Sequence, residues 1–248
     1  MRIILPTAAV LFSLLITTAR AAEPLPENDP NVNTLSDAEK AAGWVLLFDG
    51  KTLNGWHRYR NHADPAAATQ PAQPTGWTVE GGILSRTKRA GDLITDQQFE
   101  NFELVFQWKI SPGGNSGVIY RVTEDHHEPY ETGPEYQVLD NSKHPDGKNP
   151  LTSAASCYAL YAPPHDVTAP VGQWNQGRII VNGSHVEHWL NGEKVVEYEW
   201  GSDGWKSRVK NSKFNAMPDY GTRKTGGIDL QDHGDNVWYR NIKVRRID

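Results

Sequence analysis

Three predicted strands carry acid, amide, guanidinium and imidazole side chains inside apolar runs. Their sequences are GGNSGVIYR at 113–121, GPEYQVLD at 133–140 and GGIDLQDHG at 226–234. Strands of a globular domain normally bury apolar side chains and expose ordinary polar ones. The pattern therefore indicates strands that line a polar cleft on one face of a sheet, such as a cleft that binds a sugar.

Successive side chains on a strand point to opposite faces, and this alternation predicts the members of the cleft. They are Asn115 and Arg121 in the first strand, Glu135 and Gln137 in the second, and Asp229, Gln231 and His233 in the third. Two alternatives stay open. Arg121 and Glu135 would also suit a structural ion pair, and His233 would also fit as a loop histidine before a glycine.

Asp140 extends the second strand into the pattern E-x-Q-x-x-D. This spacing is similar to the E-x-D-x-x-E motif of laminarinase-type glucanases, in which a β-bulge turns all three side chains into the cleft. We therefore expect Glu135, Gln137 and Asp140 to lie together. Because the middle acid is an amide here, the case for the paired-acid mechanism of those enzymes is weakened.

Three further groups of residues could belong to the site or could have an ordinary structural or surface role. Lys213, in the basic loop before the third strand, is a candidate to bind sugar oxygens or a solvated lysine, and Asp232 either caps a turn or joins the site. Residues 126–128 (HHE) and the loop at 140–146 (DNSKHPD) contain metal-ligating side chains. Adjacent side chains on a strand point to opposite faces, and a loop of this composition also forms an ordinary turn. No metal ligand is therefore assigned, and a divalent cation stays open as a cofactor.

The charge balance and the first residues bear on partners and localisation. The chain has 25 basic and 30 acidic side chains, a net charge of −5. Residues 1–21 have the pattern of a secretory signal peptide, with Arg2, an apolar stretch at 3–18 and an A-x-A site at 19–21. Removing Arg2 and Arg20 leaves 23 basic and 30 acidic side chains, a charge of −7. We expect an exported protein, periplasmic or secreted, without a membrane anchor and without nucleic-acid binding.

The remaining segments predict one domain without disulfides. Cys157 is the only cysteine, so we expect a packed, inert thiol and a stability that comes from the core. Residues 22–43 are predicted to form a leader with a short helix that Ser36 caps and Glu39 completes as a capping box. Residues 44–248 are predicted to form a single domain.

Strand patterns dominate that domain. Residues 102–110 alternate apolar and polar side chains, and residues 178–199 contain two Asn-Gly pairs, Asn182-Gly183 and Asn191-Gly192. The second pattern predicts a three-stranded meander with type I′ turns. Long helical periodicity is absent from the sequence. We therefore predict an all-β fold, a two-sheet antiparallel sandwich or jelly roll.

The chain resembles the 3-keto-disaccharide hydrolase family, long known as a domain of unknown function. The segments that carry the resemblance, in order, are VLLFDGKTLNGW (45–56), WTVEGGIL (77–84), GNSGVIYR (114–121), GPEYQVLD (133–140), QWNQGRIIVNG (173–183), HWLNG (188–192), LQDHG (230–234) and VWYRNIKVR (237–245). The resemblance implies a concanavalin-A-like lectin/glucanase jelly roll. It also implies activity on sugars already oxidised to a ketone at C3.

A 3-keto group acidifies the hydrogen at C2, so we expect cleavage by proton removal and elimination, followed by hydration. That route needs a base, a stabiliser for the enolate oxygen and a proton donor. Glu135 or His233 is the predicted base, and Arg121, helped by Lys213, the predicted stabiliser. Asn115, Gln137, Asp140 and Gln231 are predicted to hold sugar hydroxyls.

Other partners and functions stay open at this point. No dinucleotide-binding fingerprint is present, so a separate 3-dehydrogenase is expected to make the ketone. One alternative function is a conventional glycoside hydrolase that acts on unoxidised glucans with Glu135 and Asp140. The other is a carbohydrate-binding domain without catalysis, because lectin-like folds serve both uses.

Overall fold

The computed structural model of the protein describes residues 25–62 and 76–247. Within these ranges thirteen strands, numbered β1 to β13 along the chain, form two antiparallel sheets. The predicted two-sheet antiparallel sandwich is thus confirmed. The predicted signal peptide at 1–21 lies outside the described residues. No helix in the described ranges is long and apolar enough to cross a membrane.

One sheet has five strands in the order β2-β5-β12-β7-β8. Their bounds are Trp56–Arg58 (β2), Leu93–Thr95 (β5), Asn115–Val122 (β7), Glu135–Leu139 (β8) and Gly227–Leu230 (β12). The three predicted cleft strands are β7, β8 and β12. They lie side by side, although β12 is far from the other two in the sequence.

The second sheet has eight strands, ordered β11-β10-β9-β6-β13-β4-β3, with β1 paired to β13. Their bounds are Val45–Leu46 (β1), Trp77–Glu80 (β3), Ile83–Arg86 (β4), Phe102–Ile110 (β6), Asn175–Asn182 (β9), His185–Leu190 (β10), Glu193–Glu199 (β11) and Val237–Arg246 (β13). The predicted meander is β9-β10-β11. Its second turn has positive φ at Asn191 (51°) and Gly192 (85°), as a type I′ turn requires.

The first turn of the meander differs from the prediction. Asn182 pairs with His185 across the hairpin, so the turn is centred on Gly183 and Ser184. Of these two only Gly183 has a positive φ, which a type I′ turn does not allow.

The core lies between the two sheets and is rich in aromatic side chains. Phe106 on β6 meets Tyr136 on β8 edge to face, with ring centroids 5.2 Å apart. Fully burying such a side chain stabilises the fold by about 2 kcal/mol. Cys157 is buried in this core, and burial raises the pKa of its thiol to about 12. The predicted packed thiol is confirmed.

His188 on β10 is fully buried and ties a loop to the core. Its Nδ1 faces the carbonyl oxygen of Ala155 at 3.0 Å and therefore carries the proton, so Nε2 accepts from the hydroxyl of Tyr120 at 2.9 Å. Burial lowers the pKa of His188 to about 4, so the ring is neutral. This histidine fixes the loop after β8 that borders the candidate site.

Helices are few and short. The predicted capping box of Ser36 and Glu39 is present at the helix α1, Asp37–Ala41. A second helix, α2, spans Asp203–Lys210, and a turn of 3₁₀ helix follows at Lys213–Ala216. The leader is joined to the domain, since Arg240 donates to the carbonyl oxygens of Pro26 and Glu27 at 2.6 Å each.

Candidate active site

Glu135 lies on the outer face of the five-stranded sheet, at the start of its edge strand β8. It pairs with Ile119 of β7, which in turn pairs with Asp229 of β12. The carboxyl group leans along β8 over Gly117, because a Cβ added to that glycine would lie 2.9 Å from Cγ and Cδ of Glu135. The absence of a side chain at position 117 therefore makes room for the carboxylate.

Several oxygen atoms on this face are buried without a hydrogen-bond donor among the described residues. They are Asn115 Oδ1, Gln137 Oε1, Gln231 Oε1 and both carboxylate oxygens of Asp229. Buried polar atoms are almost always paired in folded proteins. A row of unpaired acceptors on one sheet face is what a ligand rich in hydroxyl donors would satisfy.

The alternation prediction is correct for five of its residues. The outer face is shared by Gly117, Asn115 on β7, Glu135 and Gln137 on β8, Asp229 on β12, and Gln231 directly after β12. Gln137 and Asp229 are fully buried. The amide of Gln137 donates to the carbonyl oxygen of Thr152 at 3.3 Å, which places Gln137 under the loop after β8.

The environment of Glu135 favours its neutral form. Its side chain is 5% exposed and no described residue donates a hydrogen bond to it. Burial raises the pKa of Glu135 to about 8, Lys213 opposes this shift, and Asp92 and Asp146 add to it. A carboxyl group that changes charge near neutral pH in a cleft is suited to proton transfer.

Lys213 is positioned by an aromatic stack. Phe214 and Tyr220 stack with centroids 3.8 Å apart, and Tyr220 stacks in turn on Trp205 of α2 at 6.0 Å. The hydroxyl of Ser212 accepts from the N–H of Phe214 and caps the 3₁₀ turn. This packing holds the Lys213 ammonium 4.3 Å from the ring centre of Tyr158, on the Glu135 side of the cleft.

A histidine-rich rim borders the same cleft. His233, in the loop after β12, is exposed and meets His144 edge to face with centroids 6.4 Å apart. His144 Nδ1 accepts from the N–H of Asp146 at 3.1 Å, so in the neutral ring the proton is on Nε2. Asp146 accepts from the hydroxyl of Tyr158 at 3.1 Å. Lys213, Tyr158, Asp146, His144 and His233 thus form a rim around the floor that carries Glu135.

The predicted placement of Arg121 on the cleft face is wrong. Gly227 pairs with Val122 and Ile228 pairs with Tyr120, so Arg121 is an extra residue in a β-bulge, with φ of 58°. Its guanidinium donates to the carbonyl oxygen of Gly183 at 3.1 Å and lies over Trp200. Neither the enolate-stabilising position nor the alternative ion pair with Glu135 is formed.

The predicted bulge that brings Asp140 to Glu135 is also absent. β8 is regular from Glu135 to Leu139, and Asp140 lies beyond its end. Its carboxylate accepts from the N–H groups of Gly113 at 2.6 Å and Ser142 at 2.9 Å. Burial raises the pKa of Asp140, but these hydrogen bonds outweigh it and the net shift is downward. Asp140 organises two loops, and the glucanase alternative loses its second acid.

Asp232 caps a turn, which is the first of its two predicted roles. Its carboxylate accepts from the N–H groups of Ala90 at 2.7 Å and Gly91 at 2.8 Å and pairs with Arg86 at 2.5 Å. It is a turn-capping residue that joins the loop before β5 to the loop after β12.

The metal-ligating residues singled out in the sequence are occupied in other contacts. His126 pairs with Asp125 and Asp219, and His127 points into solvent. Among the described residues one group could converge on a metal ion: His185, Glu187 and Glu197. It lies on the outer face of the eight-stranded sheet, and Lys194 already pairs with Glu197 there at 2.7 Å.

Sequence reasoning missed Asp92 as a member of the site and left Asp229 without a role. Asp92 precedes β5, and Asp229 pairs with Ile94 of that strand. The only available signal for Asp229 was its place on the polar face of β12. For Asp92 there was none, because β5 reaches the site through its pairing with β12.

A cavity of about 560 Å³ lies elsewhere, between the Asp140 loop and residues 166–175. Asp140 and Asn175, which line it, already accept hydrogen bonds from backbone groups. The unpaired acceptors and the carboxyl group with a raised pKa are on the outer face of the five-stranded sheet, so that face is the candidate site.

A family model for the 3-keto-alpha-glucoside-1,2-lyase-like domain matches residues 43–245. The chain belongs to this family. The resemblance drawn from the sequence motifs is therefore confirmed. A relative named 3-keto-disaccharide hydrolase, from Bacteroides thetaiotaomicron, is 36% identical over 240 residues, covering 84% of this chain and 80% of the relative.

Solved structures agree with the family's fold. A presumed glycosyl hydrolase from Parabacteroides distasonis is 36% identical, with a TM-score of 0.79 over 88% of this chain and 100% of that chain. A second presumed glycosyl hydrolase from the same species is 28% identical, with a TM-score of 0.62 over 82% of this chain and 99% of that chain.

Proposed function

We propose that this protein cleaves the glycosidic bond of 3-keto-glycosides, 3-keto-disaccharides included. The observation that carries the proposal is Glu135, a buried carboxyl group without a described hydrogen-bond donor, whose pKa burial raises to about 8. It lies among unpaired acceptors suited to sugar hydroxyls. Membership of the family and the name of the Bacteroides thetaiotaomicron relative support the same substrate class.

The proposed reaction begins with proton transfer from C2 of the keto sugar to Glu135. The electron pair left at C2 spreads onto the C3 ketone oxygen, and the enolate then expels the aglycone from C1. Water adds to C1 of the resulting enone, and protonated Glu135 returns its proton to C2. The sum is hydrolysis, without the oxocarbenium-like transition state of ordinary glycosidases.

Lys213 is the group proposed to stabilise the enolate oxygen. It is the one cation among those that influence the pKa of Glu135, and aromatic rings hold it in place. An ammonium group aimed at developing negative charge lowers the barrier most in a site shielded from water. Arg121, the other predicted stabiliser, is excluded from this role by its position in the bulge.

Gln231, Asn115 and His233 are proposed to hold sugar hydroxyls. The first two offer unpaired amide oxygens, and His233 stands at the rim. No atom of this chain is proposed to make the ketone, since the sequence has no dinucleotide-binding fingerprint. A separate dehydrogenase would supply the substrate, and the signal-like segment at 1–21 supports export to the periplasm or the medium.

The test is turnover of 3-ketotrehalose and 3-ketosucrose, beside the unoxidised parent sugars, followed by NMR. The wild type should cleave the keto sugars alone. Glu135→Gln should lose at least about 100-fold in kcat, the usual contribution of a positioned base. Glu193→Gln, an acid paired with His165 at the surface, is the matched control and should behave as wild type. Cleavage of the parents, or near-normal turnover by Glu135→Gln, would overturn the proposal.

A further inference from the structure

Two acids on the cleft face have no part in the reaction as proposed so far. Asp229, in the middle of β12, pairs with Ile94 of β5. Asp92 lies two residues before Ile94 and therefore on the same outer face. The two carboxyl groups are neighbours across adjacent strands, and Asp92 is also among the acids that raise the pKa of Glu135.

Asp229 has the features of a carboxyl group that keeps its proton. Its side chain has no exposed surface, and neither oxygen has a described hydrogen-bond donor. A carboxylate in such a place would lose its hydration without gaining a donor, so the group stays neutral instead. Burial, then Asp92 and Glu124, raise the pKa of Asp229 well above its ordinary value.

Asp92 is the accessible member of the pair. It is half-buried, and its Oδ1 accepts from the N–H of Asp232 at 2.6 Å. Oδ2 is therefore the oxygen that can carry a proton. Burial raises the pKa of Asp92 to about 7, with Glu128 adding to the shift while the Asp232 N–H and Arg58 oppose it.

The charged and titratable groups around the pair are mostly acids. They are Arg58 and Tyr59 at the end of β2, Glu124 and Glu128 after β7, Glu135 on β8 and Asp232 after β12. With one arginine among so many carboxylates, a shared proton removes a large part of the repulsion.

We propose that Asp92, supported by Asp229, is the general acid that protonates the aglycone oxygen opposite Glu135. This inference rests on the proposed function. Three inter-strand steps separate β5 from β8, and Asp92 lies two residues further along the sheet than Glu135, so the two Cα atoms are roughly 16 Å apart. Side chains that lean inwards from both sides leave room for a pyranose ring between an acid and a base.

The proton balance closes with these two groups alone. As the C1–O bond breaks, Oδ2–H of Asp92 gives its proton to the glycosidic oxygen and Asp92 becomes a carboxylate. That carboxylate then takes a proton from the water that adds to C1. Glu135 removes the C2 proton in the first half and returns it in the second, so the enzyme ends in its starting state.

The experiment varies the leaving group. The 3-keto derivatives of methyl α-glucoside and 4-nitrophenyl α-glucoside differ in whether the departing oxygen needs a proton. For Asp92→Asn, kcat/KM on the methyl substrate should fall about 100-fold or more, and on the nitrophenyl substrate less than about 10-fold. Glu135→Gln should lose activity on both, while Asp96→Asn, an exposed acid at the far end of β5, should lose neither.

The pH dependence of kcat/KM in Asp229→Asn provides a second test. Asp229 keeps its proton, so replacing it with asparagine, which is also neutral, should leave the pKa of Asp92 unchanged. The alkaline limb of the methyl-substrate profile should therefore stay in place in Asp229→Asn. Thermal denaturation confirms that each variant is folded.

Each outcome bears on one claim. Wild type that cleaves neither keto substrate removes the proposed function itself. Equal losses on both substrates for Asp92→Asn overturn the acid role, and an alkaline limb that moves to lower pH in Asp229→Asn overturns the neutral state of Asp229; the proposed function stands in both cases. Rescue of Glu135→Gln by the nitrophenyl group would exchange the two roles and so also overturn the assignment.

Discussion

Gly117→Ala should disable the site although it replaces no titratable residue. The added Cβ would lie 2.9 Å from Cγ and Cδ of Glu135, and closer still to Oε1. Carbon atoms in contact prefer about 3.5–4.0 Å, so the Glu135 side chain must move by about 1 Å. The backbone itself tolerates alanine, because φ at Gly117 is not positive.

A shift of about 1 Å in a catalytic group costs roughly 100-fold in rate. We therefore expect kcat on 3-ketotrehalose to fall by about that factor, with the free energy of unfolding changed by about 1 kcal/mol or less. Gly204→Ala in α2, where the nearest atom is 3.7 Å away, is the control and should keep full activity. Near-normal kcat in a folded Gly117→Ala protein would show that the Glu135 carboxyl does not react from this position.

Three other outcomes follow from the same contacts. The pKa of Glu135 is raised from 4.5 to about 8, so its stabilising contribution is complete below pH 4.5 and is lost as the pH rises through 8. Glu135→Gln should therefore raise Tm over wild type at pH 8.5 and change it little at pH 4.5. A difference in Tm that does not depend on pH would contradict the raised pKa. Lys213→Met removes the cation that lowers this pKa. The kcat should therefore fall about 100-fold, and the acidic limb of the pH–rate profile should move to higher pH because Glu135 is the base. An unmoved acidic limb would separate Lys213 from Glu135. Arg121→Met should cost about 1–3 kcal/mol in chemical denaturation through its contacts with Gly183 and Trp200, and a loss of kcat in the folded variant would restore Arg121 to the site.

Alternation sorted the cleft residues correctly wherever the strands are regular. Glu135 and Gln137 face one way because β8 keeps its register from Glu135 to Leu139. Asp229 and Gln231 do so because β12 pairs without interruption from Ile228 to Leu230. In such stretches a period of two is a consequence of backbone geometry, so the sequence alone is sufficient.

The two misplaced residues lie where regular pairing ends. Arg121 occupies a bulge in the left-handed region, which re-aims its side chain towards Gly183. Asp140 follows the last residue of β8, so the strand period no longer governs it. A left-handed arginine gives no sequence signal, because glycine or asparagine is the usual occupant of that conformation. The similarity to the glucanase motif predicted a bulge in β8, whereas the bulge is at Arg121 in β7.

The positions of Asp92 and Asp229 in the cleft follow from the strand order, which the local sequence does not contain. Asp92 reaches the cleft because β5 pairs with β12, and β12 lies between β5 and β7. Its carboxyl group, more than forty residues before Glu135 in the chain, then lies across the same sheet face. The proposed base is on a strand whose polar pattern is visible in the sequence, whereas the proposed acid directly precedes a three-residue strand that is buried throughout and carries no acid. Sequence reasoning therefore finds the side chain on the regular strand and misses its counterpart, and the leaving-group experiment tests the half of the mechanism that only the sheet topology suggests.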